Sequence, residues 1–150
     1  MSESDEMEQE LDLVSGVAAF EGKHFATAER LLSPLADRGH PEALYRLAIM
    51  EQNGLGCVRR PESAVAKMRA AAEQGHALAQ HGLGFMYMEG EGVPADAEEA
   101  VKWFRLAAEH GLAGSQTTLA MMYQEGRGVP QDLEEAKRWY AKAGFDDVAM

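Results

Sequence analysis

Cysteine is almost absent from this chain. Cys57 stands alone, so no disulfide can form within it. Long apolar runs are missing too: no stretch approaches the roughly 20 residues a helix needs to span a bilayer, so membrane insertion is not expected. Cations are scarce. Lys and Arg number 14 against 25 Asp and Glu, a net charge of −11. A chain that grips phosphates wants a basic face, so nucleic acid is not expected as a partner. The short signatures of common chemistries are also lacking: no HExxH or CxxC, and no GxxxxGK[ST] behind a strand. His76 and His81 are five apart, not the three or four that puts two ligands on one helical face. His40 and His76 follow turn glycines and His110 precedes one, the places of surface histidines rather than ligands. No serine, histidine and acid stand out together as a nucleophilic set. The opening residues, Met-Ser-Glu-Ser-Asp-Glu, lack the basic start and apolar stretch of a secretory signal, which points to a cytoplasmic protein. The expectation is a chain without catalytic residues, cofactor or metal.

What the chain has is a period. Residues 90–111 return 36 positions later as Gly126, Gly128, Val129, Pro130, Asp132, Glu135, Ala136, Trp139, Tyr140 and Ala143. A weaker copy stands 36 positions earlier, with Gly54, Gly56, Cys57, Ala64, Met68, Ala71, Ala72 and Gly75. A fixed period of this length marks a stacked-repeat protein. Ala100, Trp103, Phe104, Ala107 and Ala108 fall on one face of a helix, and Ala136, Trp139, Tyr140 and Ala143 repeat it. Asp96 with Glu99, and Asp132 with Glu135, read as reciprocal capping boxes. Glu98–Lys102 and Glu134–Arg138 read as i,i+4 ion pairs. A second helix precedes each motif, packing through Ala79, Leu83, Met86 and Tyr87, and again through Ser115, Leu119, Met122 and Tyr123. Gly84, Ala120 and Ala48 share one position, where a small residue lets a neighbouring helix come close. Gly90 and Gly126 are placed to end these helices in the left-handed conformation. Cys57, at the position of Val93 and Val129, reads as a shielded small hydrophobe.

A helix pair with A-x-x-x-L-G-x-x-Y, then G-x-G-V, an acidic cap, A-x-x-W-F/Y, A-A and a closing Gly resembles the Sel1-like repeat, a relative of the tetratricopeptide repeat. The match is dense over residues 77–143 and looser over 41–76. The resemblance implies an all-α fold, a right-handed α-solenoid of about four helix-turn-helix repeats, and an adaptor or scaffold role. Some secreted relatives are disulfide-rich and are connected with β-lactam binding or hydrolysis. This chain lacks their paired cysteines, so a cell-wall or β-lactam hydrolase is the weakest of the readings.

Taken in order, residues 1–8 are expected to be an acidic, frayed N-terminus. Residues 9–40 read as a degenerate tetratricopeptide-like repeat, with Leu11, Val14, Val17 and Ala18 facing inward from a helix over about 8–20. Pro34 should bend or interrupt the next helix. Sel1-like repeats are expected at 41–76, 77–112 and 113–143, followed by a tail at 144–150. In the first of these Arg60 replaces the capping Asp, partly offset by Pro61 at the first helical position. Arg59, Arg60, Lys67 and Arg69 form the one basic patch, read as balancing nearby carboxylates or meeting an acidic partner.

The resemblance puts the first helix of each pair along a concave groove. Groove residues are then Tyr45, Ile49 and Gln52; Leu78, His81, Phe85 and Met88; and Thr117, Met121 and Gln124. One row reads Ile49, Phe85, Met121, with Phe85 as its centre; the same row would also serve to pack first helices together. The leading reading is a non-catalytic module that binds a protein or peptide in this groove. A self-associating subunit stands beside it, a weak homodimer through the C-terminal repeat. There Trp139 and Tyr140 offer an apolar face that only Phe145, Val148 and Met150 could cover, with Asp147 where a closing glycine would stand.

Overall fold

The computed structural model describes residues 2–145. Every described element is helical, and the helices pair in sequence. The chain divides into two compact units, residues 1–76 and 77–150. The first holds α1 (Glu3–Glu21), α2 (Phe25–Asp37), α3 (Pro41–Asn53) and α4 (Pro61–Glu73). The second holds α5 (Ala77–Glu89), α6 (Ala97–Glu109), α7 (Ala113–Glu125) and α8 (Leu133–Lys142).

The first unit departs from expectation at its start. Residues 2–8 do not fray. Ser2 caps α1, accepting from the Asp5 amide while the Asp5 carboxylate accepts from the Ser2 amide. This capping box places acids at the positive end of the helix, which favours helix from the third residue on. The inward face also differs. Leu11, Val14 and Ala18 point to solvent and Val17 is half-buried; the buried residue is Gly16. A side chain on Gly16 would collide with Leu32, since its Cβ would lie 2.5 Å from that residue's Cδ2. Contact between α1 and α2 is therefore set by the one residue without a side chain, which turns the Leu11–Val14 stripe outward. Nor does Pro34 break α2, which runs to Asp37. The proline sits in the last turn with its ring exposed; it forgoes only the one bond an amide there would donate to the Arg30 carbonyl, and the helix ends three residues later.

Buried residues of α3 and α4 are largely small: Ala43, Ala48, Ala64, Ala71 and Ala72, filled out by Leu47, Met50 and Met68. Arg60 supplies no side-chain cap to α4, and Pro61 opens the helix in its place. Lys67 donates to Glu51 at 2.7 Å and Arg59 to the Gln52 carbonyl at 2.8 Å, so these two members of the basic patch are engaged inside the fold. Cys57 is half-buried, like Val93 and Val129, rather than fully shielded. Its Sγ lies 3.6 Å from the Met50 carbonyl, and burial pushes the thiol pKa up.

In the second unit Phe104 is the largest fully buried side chain, surrounded by Ala100, Val101, Leu119, Ala120 and Met122. Val101 takes the place on the α6 face that the pattern assigned to Trp103. The indole is half-buried at the rim, its Nε1 without a hydrogen-bond partner. Asp96 and Asp132 cap α6 and α8, accepting from the Glu99 and Glu135 amides at 3.1 and 3.0 Å. The cations pair one residue closer than expected, Lys102 with Glu99 at 3.5 Å and Arg138 with Glu135 at 2.9 Å. The carboxylates at the third helical position thus serve the ion pairs instead of reaching back to the cap.

The Gly-x-Gly loops have a double function. Gly54, Gly56, Gly90, Gly92, Gly126 and Gly128 all have φ between 67° and 75°, a region costly for other residues. The second glycine also permits a close approach. A Cβ on Gly128 would lie 2.4 Å from the carbonyl oxygen of Ala97, the first residue of α6; one on Gly56 would lie 2.5 Å from the Cβ of Phe25, the first residue of α2. The loops that hold Gly56 and Gly128 therefore rest on the starts of α2 and α6.

Candidate functional site

The expected groove residues lie on the first helix of each pair, and each unit presents its own set. In the first unit Tyr45, Ile49 and Gln52 lie on α3, all half-buried. The Tyr45 ring stacks on His76 with centroids 4.8 Å apart, and the Arg46 guanidinium lies 5.7 Å from its centroid. His76 Nε2 is 2.6 Å from Glu42 Oε2, while Arg46 Nε donates to Glu42 Oε1 at 2.8 Å. Burial would raise the Glu42 pKa, but the hydrogen bonds from His76 and Arg46 outweigh it and bring the carboxyl below its usual 4.5. Burial raises the Tyr45 phenol. Tyr45 thus neighbours both the His76 ring and the Arg46 guanidinium.

In the second unit α5 and α7 are tied together. His81 Nδ1 and Ser115 Oγ are 2.6 Å apart. Ser115 is fully buried, so its hydroxyl acts as an anchor for α5, out of reach of a substrate. Burial lowers the His81 pKa below 6.5, keeping the ring neutral. The imidazole also meets the rings of Phe85 and Phe104 edge-on, at 4.9 and 5.5 Å, and those two meet at 5.0 Å. Phe85 is half-buried: one part of its ring supports the core and another faces out. On the same two helices Leu78 is 42% and Met121 46% exposed, while Met88 is half-buried against the core. The remaining members are polar and engaged. Thr117 donates to the Ala113 carbonyl at 3.0 Å, and Gln124 accepts from the Tyr140 hydroxyl at 2.8 Å. The face of α5 and α7 therefore presents apolar side chains whose polar neighbours are already bonded within the fold.

Two polar residues that the sequence reading passed over hold this unit together. Gln116, buried, donates to the Ala108 carbonyl at the end of α6 at 3.1 Å, and buried Gln80 lies 3.2 Å from His110 Nδ1. They occupy one repeat position, 36 apart, and the recurrence of glutamine there was the available signal. At the last pair the apolar face is turned inward. Trp139 is buried and Tyr140 half-buried with Phe145 packed edge-on against it; among the described residues of this pair and its tail the large exposed apolar side chains are Met121, Leu133 and Phe145. The expectation of an open Trp139–Tyr140 surface is corrected accordingly. Asp147, Val148 and Met150 lie outside the described residues. Among the described residues no group of three His, Cys, Asp or Glu side chains could hold a metal ion, and no helix is long and apolar enough to cross a membrane.

The glycine loops, capped second helices and small-residue packing recur with the period of a known family, and the Sel1 repeat model matches residues 41–76, 77–112 and 113–144, more than half of the chain. The chain belongs to the Sel1 repeat family. Its helix pairs superpose well on those of solved Sel1 structures. One is a protective antigen present in uropathogenic Escherichia coli strains, displaying an SLR fold. It is 38% identical with a TM-score of 0.86, over 93% of this chain and 31% of that one. Another is a Sel1 repeat protein from Oxalobacter formigenes, 31% identical with a TM-score of 0.84, over 89% of this chain and 55% of that one. This Sel1 chain thus spans about a third of the first relative and just over half of the second. Helicobacter pylori cysteine rich protein B shares the fold at 16% identity and a TM-score of 0.62, over 79% of this chain and 84% of that one. No curated protein matches the chain significantly.

Proposed function

We propose that this Sel1 repeat chain is a non-catalytic interaction module, an adaptor or scaffold that binds a protein or peptide on the exposed face of its first helices. The observation that carries the reading is the α5–α7 face. Leu78 and Met121 are exposed on these two helices, which also carry the half-buried Phe85 and are fastened by the His81–Ser115 hydrogen bond. Binding by rigid display needs this combination. The helices need no reordering, so little entropy is lost on association. Apolar groups lie beside polar groups that are already satisfied, and methionine adapts to differing partner shapes. An aromatic at an interface centre often carries a large share of the binding energy. Affinity capture with the wild-type chain from its native cell, read by mass spectrometry, would name the bound proteins. A Leu78→Ser, Met121→Ser double variant should lose them while keeping wild-type helicity and melting. Retention of the same partners by that variant would remove this face as the binding surface.

A further inference from the structure

The strongest unassigned feature is the outer face of α1. Met7, Leu11 and Val14 are 63%, 64% and 63% exposed, spaced i, i+4 and i+7, with exposed Ala18 continuing the line. Among the described residues nothing covers this stripe, because the helix packs through Gly16 on its opposite side. Beside the stripe Leu13, Val14, Val17 and Ala18 floor a groove of about 460 Å³ that ends at Glu21 and Glu42. On the other flank a cleft of about 560 Å³ is lined by Asp5, Glu8 and Asp12 of α1 with Pro34, Leu35 and Arg38.

The charge around the stripe selects its occupant. Helix α1 carries Glu3, Asp5, Glu6, Glu8, Glu10, Asp12 and Glu21 and not one Lys or Arg. On a helical projection Glu3, Glu6, Glu10 and Glu21 run along one side of the apolar line, while Glu8, Asp12 and Asp5 lie on the other. A second copy of this helix laid on the stripe would set carboxylates against carboxylates, and like charges at close range oppose association. An anionic lipid surface is disfavoured for the same reason. We propose that the α1 stripe docks a cationic amphipathic helix, a partner segment with apolar residues at i, i+3 or i+4 and i+7 flanked by Lys or Arg. The apolar teeth would pack on Met7, Leu11 and Val14 in the helix-in-groove manner, and the flanking cations would meet the two acidic margins. Encounter is quickened by opposite net charge and slows as salt rises. This surface is separate from the α5–α7 face and does not depend on the function proposed for it.

The test uses the full chain and a fluorescent 14-residue peptide of leucine and lysine patterned for one apolar helical face, with a leucine–glutamate peptide of the same pattern as control. Anisotropy reports affinity and circular dichroism reports peptide helix formed on binding. The Leu–Lys peptide should bind and gain helicity, weaken at least tenfold between low and high salt, and not respond to the Leu78→Ser, Met121→Ser changes. The Leu–Glu peptide should not bind. A Leu11→Ser, Val14→Ser variant leaves every charge in place and should weaken binding at least tenfold; Glu6→Gln, Glu10→Gln, with the apolar stripe intact, should weaken it independently. Unchanged affinity in Leu11→Ser, Val14→Ser would reduce the effect to bulk charge and overturn the proposal. So would a wild-type chain that sediments as a dimer dispersed by the same two serines, which would make a second copy the occupant.

Discussion

Replacing Gly128 with alanine separates the two demands on the Gly-x-Gly loop. The residue has a φ of 75°, and its Cβ would stand 2.4 Å from the Ala97 oxygen and 2.6 Å from the Ala97 carbonyl carbon. A side chain in the left-handed region costs about 1–2 kcal/mol. Crowding a backbone group, which cannot rotate aside as a side chain would, adds about 1–3 kcal/mol. Gly128→Ala should therefore destabilise by about 2–5 kcal/mol. Gly111 is the internal control: its φ is 91°, but nothing lies within 4 Å of where a Cβ would be. Gly111→Ala should cost only the backbone share, about 1–2 kcal/mol. Since 1 kcal/mol shifts the Tm of a chain this size by about 2–4 °C, the two variants should differ by about 2–12 °C. Thermal unfolding followed by far-UV circular dichroism, with urea midpoints as a second measure, reads the difference. Equal losses in the two variants would refute close approach as the reason for the second glycine.

Four further outcomes are expected. Phe104→Ala should cost about 3–5 kcal/mol because the ring is fully buried, and Trp103→Ala should cost clearly less in the same urea titration because the indole is half-exposed at the rim. Arg60→Asn restores the missing cap on α4 and should raise stability by about 1 kcal/mol, measured by the shift in urea midpoint. Two groups make the fold acid-sensitive in different windows. His81, depressed below 6.5, stays neutral in the fold, so stability should fall as pH drops below 6.5 and level off beneath its folded value. Glu42, depressed below 4.5, contributes stability above that value that is lost as pH falls through its folded pKa; Glu42→Gln should flatten only this lower limb of a stability–pH curve. Cys57 is half-buried with its thiol pKa raised, so a thiol reagent at neutral pH should label it slowly, and faster in denaturant.

The repeat period was legible because many positions recur together, and the helix ends read at Gly90 and Gly126 have the left-handed φ expected of them, as does Gly54 of the weaker copy. The caps at Asp96 and Asp132 were legible for the same local reason: a short side chain placed before an apolar-periodic run can satisfy an amide three residues on. Orientation was harder. In α1 apolar residues occupy more than one face, and periodicity cannot decide which of them turns inward when the contact is made by Gly16, a residue that carries no hydrophobic signal. Val101 and Trp103 lie on either side of the same face, and which of them is covered depends on the neighbouring helix rather than on α6 itself. The groove residues could be placed on their helices by register alone. That His81 would find Ser115, and Tyr45 would find His76, depended on contacts between residues more than thirty positions apart.

The seating of the Gly56 and Gly128 loops on the helices before them gives each unit a direction. Gly56 lies against Phe25, and Gly128 against Ala97. A polypeptide leaves the ribosome amino end first, and its leading parts fold first. Each of these two seats is therefore made before the glycine that will occupy it. The same order governs how the chain can be cut. A fragment shortened from its carboxyl end keeps Ala97 wherever it keeps Gly128, whereas one begun at Ala113 carries Gly128 without Ala97. Loss of the first helix pair would in the same way leave Gly56 without Phe25.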